Sequence, residues 1–210
     1  METGQPAGGT RLDGRTRLLD TAEELLDQYG IDGVSVRTVT KAAGHRNSSA
    51  VNYHFGDREQ LIVAVLERRR LAVEARRQAL LEALEADGEL TPGDAVLVAL
   101  QPLVELLDEP AGRRYLRLLH QASIHPDYLG RNIVDFSPAA VRARASLLPL
   151  VQHLPRDLRV HRLRLAANVG LAALCDQARL IDSPEPPRPV VDSTVLLDDA
   201  VKSILAVLTA

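Results

Sequence analysis

A helix-like stretch that stops at a glycine and restarts as a polar helix constrains this chain more than any other feature. Val36 to Ala43 carries one apolar face, Gly44 follows, and the next residues read His45-Arg46-Asn47-Ser48-Ser49-Ala50-Val51-Asn52-Tyr53-His54-Phe55-Gly56-Asp57-Arg58-Glu59. A tight turn between two short helices needs a residue in the left-handed region, which glycine adopts at little steric cost. The helix beyond the turn is rich in Asn, Ser, Arg and Tyr, side chains that hydrogen-bond base edges and phosphates. This order of parts predicts a helix-turn-helix whose second helix enters the major groove of DNA. Arg46, Asn47, Ser48, Ser49 and Asn52 are then the base-reading candidates, with Tyr53 and His54 near the helix end to reach phosphates. Val51 and Phe55 are expected to turn inward, closing this helix onto the first one.

Charge supports the placement. The chain as a whole has a formal net charge of -3, which is not the overall balance of a nucleic-acid binder. Between Gly33 and Arg58, however, Arg37, Lys41, Arg46 and Arg58 face only Asp57. Positive charge is concentrated on the proposed DNA face.

At these residues the sequence resembles the TetR family of bacterial regulators. The family's run of Leu-Tyr-Tyr-His-Phe, a short spacer and Ser-Lys-Glu corresponds here to Val51-Asn52-Tyr53-His54-Phe55, Gly56 and Asp57-Arg58-Glu59. Arg15, Leu18-Leu19, Ala22, Leu25-Leu26, Gly30 and Val36 fall where the family has its first helix and the entry to its second. The resemblance covers roughly residues 11 to 66. It implies phosphate contacts from Tyr53, His54 and Arg58, joined by Ser35, Arg37 and Lys41, with Arg15 a weaker candidate. Asn52 stands where many members have tyrosine, and Thr40 where many have alanine.

The remainder is helical in pattern. Leu18, Leu19, Ala22, Leu25 and Leu26 mark one buried face of a first helix from about Gly14 to Tyr29, which Gly30 ends. Ser35 is placed to cap the second helix and Asp57 the fourth, which runs on to about Ala86. Further helices are expected over Thr91–Leu107, Pro110–Ser123, Pro138–Val151, Arg156–Ile181 and Asp192–Leu208. The four prolines of Ser183 to Pro189 mark a connector. These signals predict an all-α protein in which residues 1–10 are a disordered tail and 11–58 a three-helix helix-turn-helix domain. Residues 59–210 are expected to form a helical ligand-binding and dimerisation domain.

Composition narrows the function classes. No run approaches the roughly 18 apolar residues of a membrane span. Met1 to Thr10 is polar and Gly-rich with no signal-peptide core, so a cytoplasmic protein is expected. Cys175 is the only cysteine, which excludes an internal disulfide or a cysteine metal cluster. His120, His125, Asp127, His153 and His161 match no zinc spacing. No metal or cofactor is expected, and an enzyme with an appended DNA-binding domain is the remote alternative.

Two surfaces of the C-terminal part invite partners. Leu163, Ala166, Ala167, Gly170, Ala173 and Leu174 form a small apolar stripe that allows close helix approach, and Val201, Ile204, Leu205 and Leu208 form another. One reading is an internal core. The other, favoured by the two-fold symmetry that operator binding demands, is a homodimer interface built from Leu163, Ala167, Gly170, Leu174, Val201, Leu205 and Leu208. Tyr115, His120, Gln121 and Asn168 are polar residues on otherwise buried faces, so they either bond one another or await a ligand. The expected function is a transcriptional repressor that binds palindromic double-stranded DNA and is released by an unknown small-molecule effector. A C-terminal domain that binds a protein partner instead is the other alternative. With aromatics at only 3%, an effector pocket would be mainly aliphatic.

Overall fold

The computed structural model describes residues 8–45, 49–128 and 137–210, and these are all-α. The chain divides into two compact units, Met1–Arg68 and Arg69–Ala210. Among the described residues, no helix is long and apolar enough to cross a membrane.

The first unit opens with α1 (Gly8–Gly33), six residues ahead of the expected start at Gly14. Residues 1–7 of the expected tail lie outside the described residues. Leu18, Ala22 and Leu26 are fully buried, with Leu19 nearly so, as their spacing requires. At Gly30 the backbone leaves the helix with φ 74°, a value that glycine alone adopts without strain. Then come α2 (Val36–Ala42), α3 (Ser49–Phe55) and the start of α4 (Arg58–Asp87). Ser35 caps α2, its hydroxyl accepting from the Thr38 amide at 3.1 Å. Asp57 caps α4 in the same way, through the Gln60 amide at 2.7 Å. Each cap satisfies a backbone N–H that the helix cannot, typically stabilising it by about 1 kcal/mol.

The second unit contains the rest of α4, then α5 (Pro92–Val104), α6 (Pro110–Ile124) and α7 (Pro138–Ala143). They are followed by α8 (Leu148–Val151), α9 (Arg156–Asp182) and α10 (Ser193–Thr209). One expected helix, Thr91–Leu107, tightens to a 3₁₀ turn at Glu105–Asp108. Another, Pro138–Val151, is broken by a second 3₁₀ turn at Arg144–Leu147. Thr91 and Asp94 cap α5 reciprocally: the Thr91 hydroxyl accepts from the Asp94 amide at 3.2 Å, and the Asp94 carboxylate accepts from the Thr91 amide at 2.9 Å. Pro102 lies inside α5. It has no N–H to donate to the carbonyl four residues back. Close by, Arg77 of α4 donates to the Ala99 carbonyl at 3.0 Å.

Helices α9 and α10 run antiparallel. Gly170 faces Ile204, Arg162 donates to the Val207 carbonyl at 2.9 Å, and Gln177 brackets Val191 through both its carbonyl and its amide. A methyl group at Gly170 would lie 2.9 Å from Leu100 and 3.0 Å from Ile204. Gly170 therefore lies in close contact with both α5 and α10 of the same chain.

At the far end of α9, Asp182 ties the helix to α6. Arg113 donates to one carboxylate oxygen at 2.6 Å and Arg117 to the other at 2.5 Å. Burial alone would raise the Asp182 pKa, but the hydrogen bonds and charges of Arg117 and Arg113 outweigh it and hold the carboxyl below its usual range. A depressed folded-state pKa adds stability that is present above the unfolded-state value and lost as pH falls through the folded one. The wild-type chain should therefore melt at a higher temperature than Asp182→Asn at neutral pH. That gap should close as pH drops below about 4, as thermal melts across an acid series would record. A gap independent of pH would show that the charge of Asp182 does not stabilise the α6–α9 junction.

Candidate nucleic-acid interface

The turn between α2 and α3 is held by its backbone. Gly44 has φ 79°, its amide donates to the Lys41 carbonyl at 3.1 Å, and the His45 amide donates to the Thr40 carbonyl at 3.0 Å. This pair of bonds is a Schellman cap, which requires a left-handed residue where Gly44 sits. It sets the direction in which the chain leaves α2. Thr40 is buried and donates its hydroxyl to the Val36 carbonyl at 2.6 Å. The hydroxyl that replaces the common alanine thus finds a partner within its own helix.

Helix α3 divides into an inner and an outer face. Val51 is fully buried, while Asn52 is exposed and Tyr53 is 62% exposed. His54 and Phe55 are half-buried. The Tyr53 and His54 rings meet edge to face at 5.0 Å, and the Arg15 guanidinium lies 5.0 Å above the Phe55 ring. Arg15 therefore pins the end of α3 to α1 through a cation–π contact. Arg46, Asn47 and Ser48 lie outside the described residues, as does the side chain of Ser49, whose backbone begins α3. On α2, Arg37 and Lys41 are exposed, and Ser35 is exposed although its hydroxyl serves the cap. The structure thus presents Asn52, Tyr53, Arg37 and Lys41 to solvent.

Arg58 is placed differently. Its Nε donates to the Val34 carbonyl at 2.7 Å, and a second guanidinium nitrogen donates to the Ile31 carbonyl. These carbonyls belong to the turn that joins α1 to α2. The side chain expected at a phosphate braces the segment 31–34 against the first residue of α4. Sequence reasoning had no signal for this, because the acceptors are backbone atoms 24 and 27 residues away. The ion pairs of Arg68 with Asp20 and with the buried Glu23 tie α4 to α1 in the same unit.

The candidates in the second unit lie on α6, which carries Tyr115, His120 and Gln121, and on α9, which carries Asn168. Tyr115 is 4% exposed, and His120, Gln121 and Asn168 are half-buried. Tyr115 lies close enough to Arg77 of α4 to affect its charge. His120 lies near Arg179 of α9, and burial and that positive charge push its pKa down. The two stripes are also divided. Gly170, Leu174 and Leu208 are buried within one chain, and the intrachain seam around Gly170 accounts for the small residue there. Leu163, Val201 and Leu205 remain half-buried and Ala167 exposed. Three apolar side chains not singled out for a partner, Val160, Leu165 and Val195, are 54%, 43% and 58% exposed. Among the described residues, no three His, Cys, Asp or Glu side chains are grouped to hold a metal.

Comparison with known proteins agrees with this division of the chain. Residues 18–65 match the family model for bacterial regulatory proteins of the tetR family. Residues 98–206 match that for the tetracyclin repressor-like C-terminal domain. None of the curated proteins matches the sequence. Among solved structures, a protein described as a TetR-family transcriptional regulator from Rhodococcus sp. is similar, with 18% identity and a TM-score of 0.53 over 93% of this chain and 98% of the other. One from Mesorhizobium loti, also 18% identical, has a TM-score of 0.49 over 94% of this chain and 97% of its own. The two family models together span most of the chain, and the capped turn and polar outer face of α3 are the parts such a protein needs. The chain belongs to the TetR family of bacterial regulatory proteins and is a helix-turn-helix, DNA-binding regulator of transcription rather than an enzyme.

Proposed function

We propose that the chain is a homodimeric repressor that binds a palindromic double-stranded operator and is released from it by a small molecule held in the second unit. The observation that carries this reading is α4. It is one uninterrupted helix from Arg58 to Asp87, its first turn capped two residues after α3 ends and its second half belonging to the other unit. A ligand that favours one position of that second half acts on an element attached directly to the reading helix. Two reading helices of a dimer must lie about 34–36 Å apart to enter successive major grooves. A small displacement is then enough to lose the operator, provided the ligand prefers the displaced state.

Asn52, with Arg46, Asn47, Ser48 and Ser49, is assigned to base edges, and Tyr53, His54, Arg37, Lys41 and Ser35 to phosphates. The face for the second subunit is assigned to what α9 and α10 leave exposed: Leu165 and Val195, with Leu163, Ala167, Val201 and Leu205 at its edge. Apolar side chains exposed on an antiparallel helix pair suit a four-helix bundle formed with a second copy.

Selection of bound duplexes from a random pool should return an inverted repeat. Asn52→Ala should relax one position in each half-site and cost about 1–3 kcal/mol in affinity. An unchanged preference would remove Asn52 from the reading set, and recovery of a site with no two-fold symmetry would contradict the dimeric reading. In sedimentation experiments Leu165→Glu should give a helical monomer with weakened operator binding, because a charge would enter a packed seam. An intact dimer would place the interface elsewhere.

A further inference from the structure

The second unit holds a pair of charged side chains, each with one enclosed polar atom that bonds nothing among the described residues. Glu74 and Arg77 are three residues apart on α4 and therefore share a face. One carboxylate oxygen of Glu74 accepts from the Ala139 amide in the first turn of α7 at 3.0 Å. Arg77 gives one hydrogen bond to the Ala99 carbonyl at 3.0 Å. The other oxygen of Glu74, Oε2, and the Nε of Arg77 are enclosed and bond nothing among the described residues. The two side chains form no ion pair with each other, although they are near enough that Glu74 supports the Arg77 charge against the burial that lowers its pKa. Enclosed polar groups are satisfied in the great majority of native structures, and a charged donor or acceptor left unmade is the costlier kind. An orphan acceptor and an orphan donor on one helix face describe a missing partner that both donates and accepts.

Beside the pair is an apolar cluster. Leu81, one turn beyond Arg77, packs with Ala95, Val98, Ala139 and Ala143, and the partly buried Leu80, Leu84, Leu90 and Leu147 lie against it. Ala139, whose amide binds Glu74, belongs to this cluster, and Ala99, whose carbonyl binds Arg77, follows Val98.

We propose that Glu74 and Arg77 anchor the polar head of the effector, and that the effector is an uncharged aliphatic molecule whose head is a hydroxyl or a primary carboxamide. The head accepts from Arg77 Nε and donates to Glu74 Oε2, while the aliphatic body lies on the leucines. A carboxylate head would meet the Glu74 charge and an ammonium head the Arg77 charge, so the pair selects against both. This inference rests on the ligand-released reading above and names the ligand class of that same unit.

The test uses the full chain and four probes of equal chain length: octanamide, 1-octanol, octanoate and octylamine. In thermal shift, octanamide and 1-octanol should raise the melting temperature in a concentration-dependent way, and the two charged probes should not. Glu74→Gln keeps an oxygen for the Ala139 amide but turns the orphan acceptor into a donor. It should move the preference to octanoate by roughly tenfold or more in apparent Kd. Arg77→Met, with circular dichroism to establish that it is helical, should abolish the response to octanamide and 1-octanol, which keeps the test decisive if Glu74→Gln does not fold. Absence of stabilisation by any probe, as expected if only water bridges the pair, overturns the proposal, and so does a probe ranking that Glu74→Gln leaves unchanged. Titration of a selected operator with octanamide present separates the two readings. The expected ranking without any change in DNA affinity retains the anchor and removes ligand release. Release by a probe whose effect ignores both variants retains ligand release and removes the anchor.

Discussion

The Arg58 guanidinium reaches back to the carbonyls of Ile31 and Val34, and the geometry of the DNA-binding unit depends on it. Ile31 directly follows the kink at Gly30, where the backbone leaves the helical region, and Val34 precedes α2. A charge-assisted donor from the start of α4 reaches both carbonyls and ties the end of α1 and the entry to α2 to α4. The Schellman turn at Gly44 then directs α3 outward, and Arg15 over Phe55 holds its far end against α1. Asn52 and Tyr53 are exposed on the outer face of α3.

Much of this was legible in the sequence, for local reasons. Apolar spacing located the helices, since Leu18, Ala22 and Leu26 can share a face only with helical periodicity. Ser35 and Asp57 marked helix starts because a cap acts within three residues of itself. Gly44 marked the turn because few other residues tolerate its φ. What stayed hidden depends on distant partners. Nothing near Arg58 reveals that its acceptors are backbone carbonyls in another turn, so its charge pointed to phosphate. Gly170 looks the same whether a neighbouring helix belongs to its own chain or to a second copy, and only the positions of Leu100 and Ile204 separate the two. Glu74 and Arg77 resemble an ordinary solvated i, i+3 pair until Ala139 and Ala99 are found to draw them apart.

Helix α4 links these observations. Its first turn braces the reading unit through Arg58, and its middle carries the unsatisfied pair beside an aliphatic cluster. Under the ligand-released reading, binding at one end shifts the other only if the ligand prefers one of two positions of the helix. The acidic overall charge is compatible with this arrangement, because Arg37 and Lys41 place a local positive excess on α2.

The most direct test of the internal bracing is the salt dependence of operator binding in Arg58→Ala compared with Lys41→Ala. Each phosphate contact removed should reduce the slope of log affinity against log salt by about one. Lys41→Ala is predicted to show that reduction at an unchanged melting temperature. Arg58→Ala is predicted to lower the melting temperature and weaken binding at every salt concentration while keeping the wild-type slope. A slope flattened by Arg58→Ala as much as by Lys41→Ala, in a protein that melts like the wild type, would contradict the account and return Arg58 to the DNA backbone.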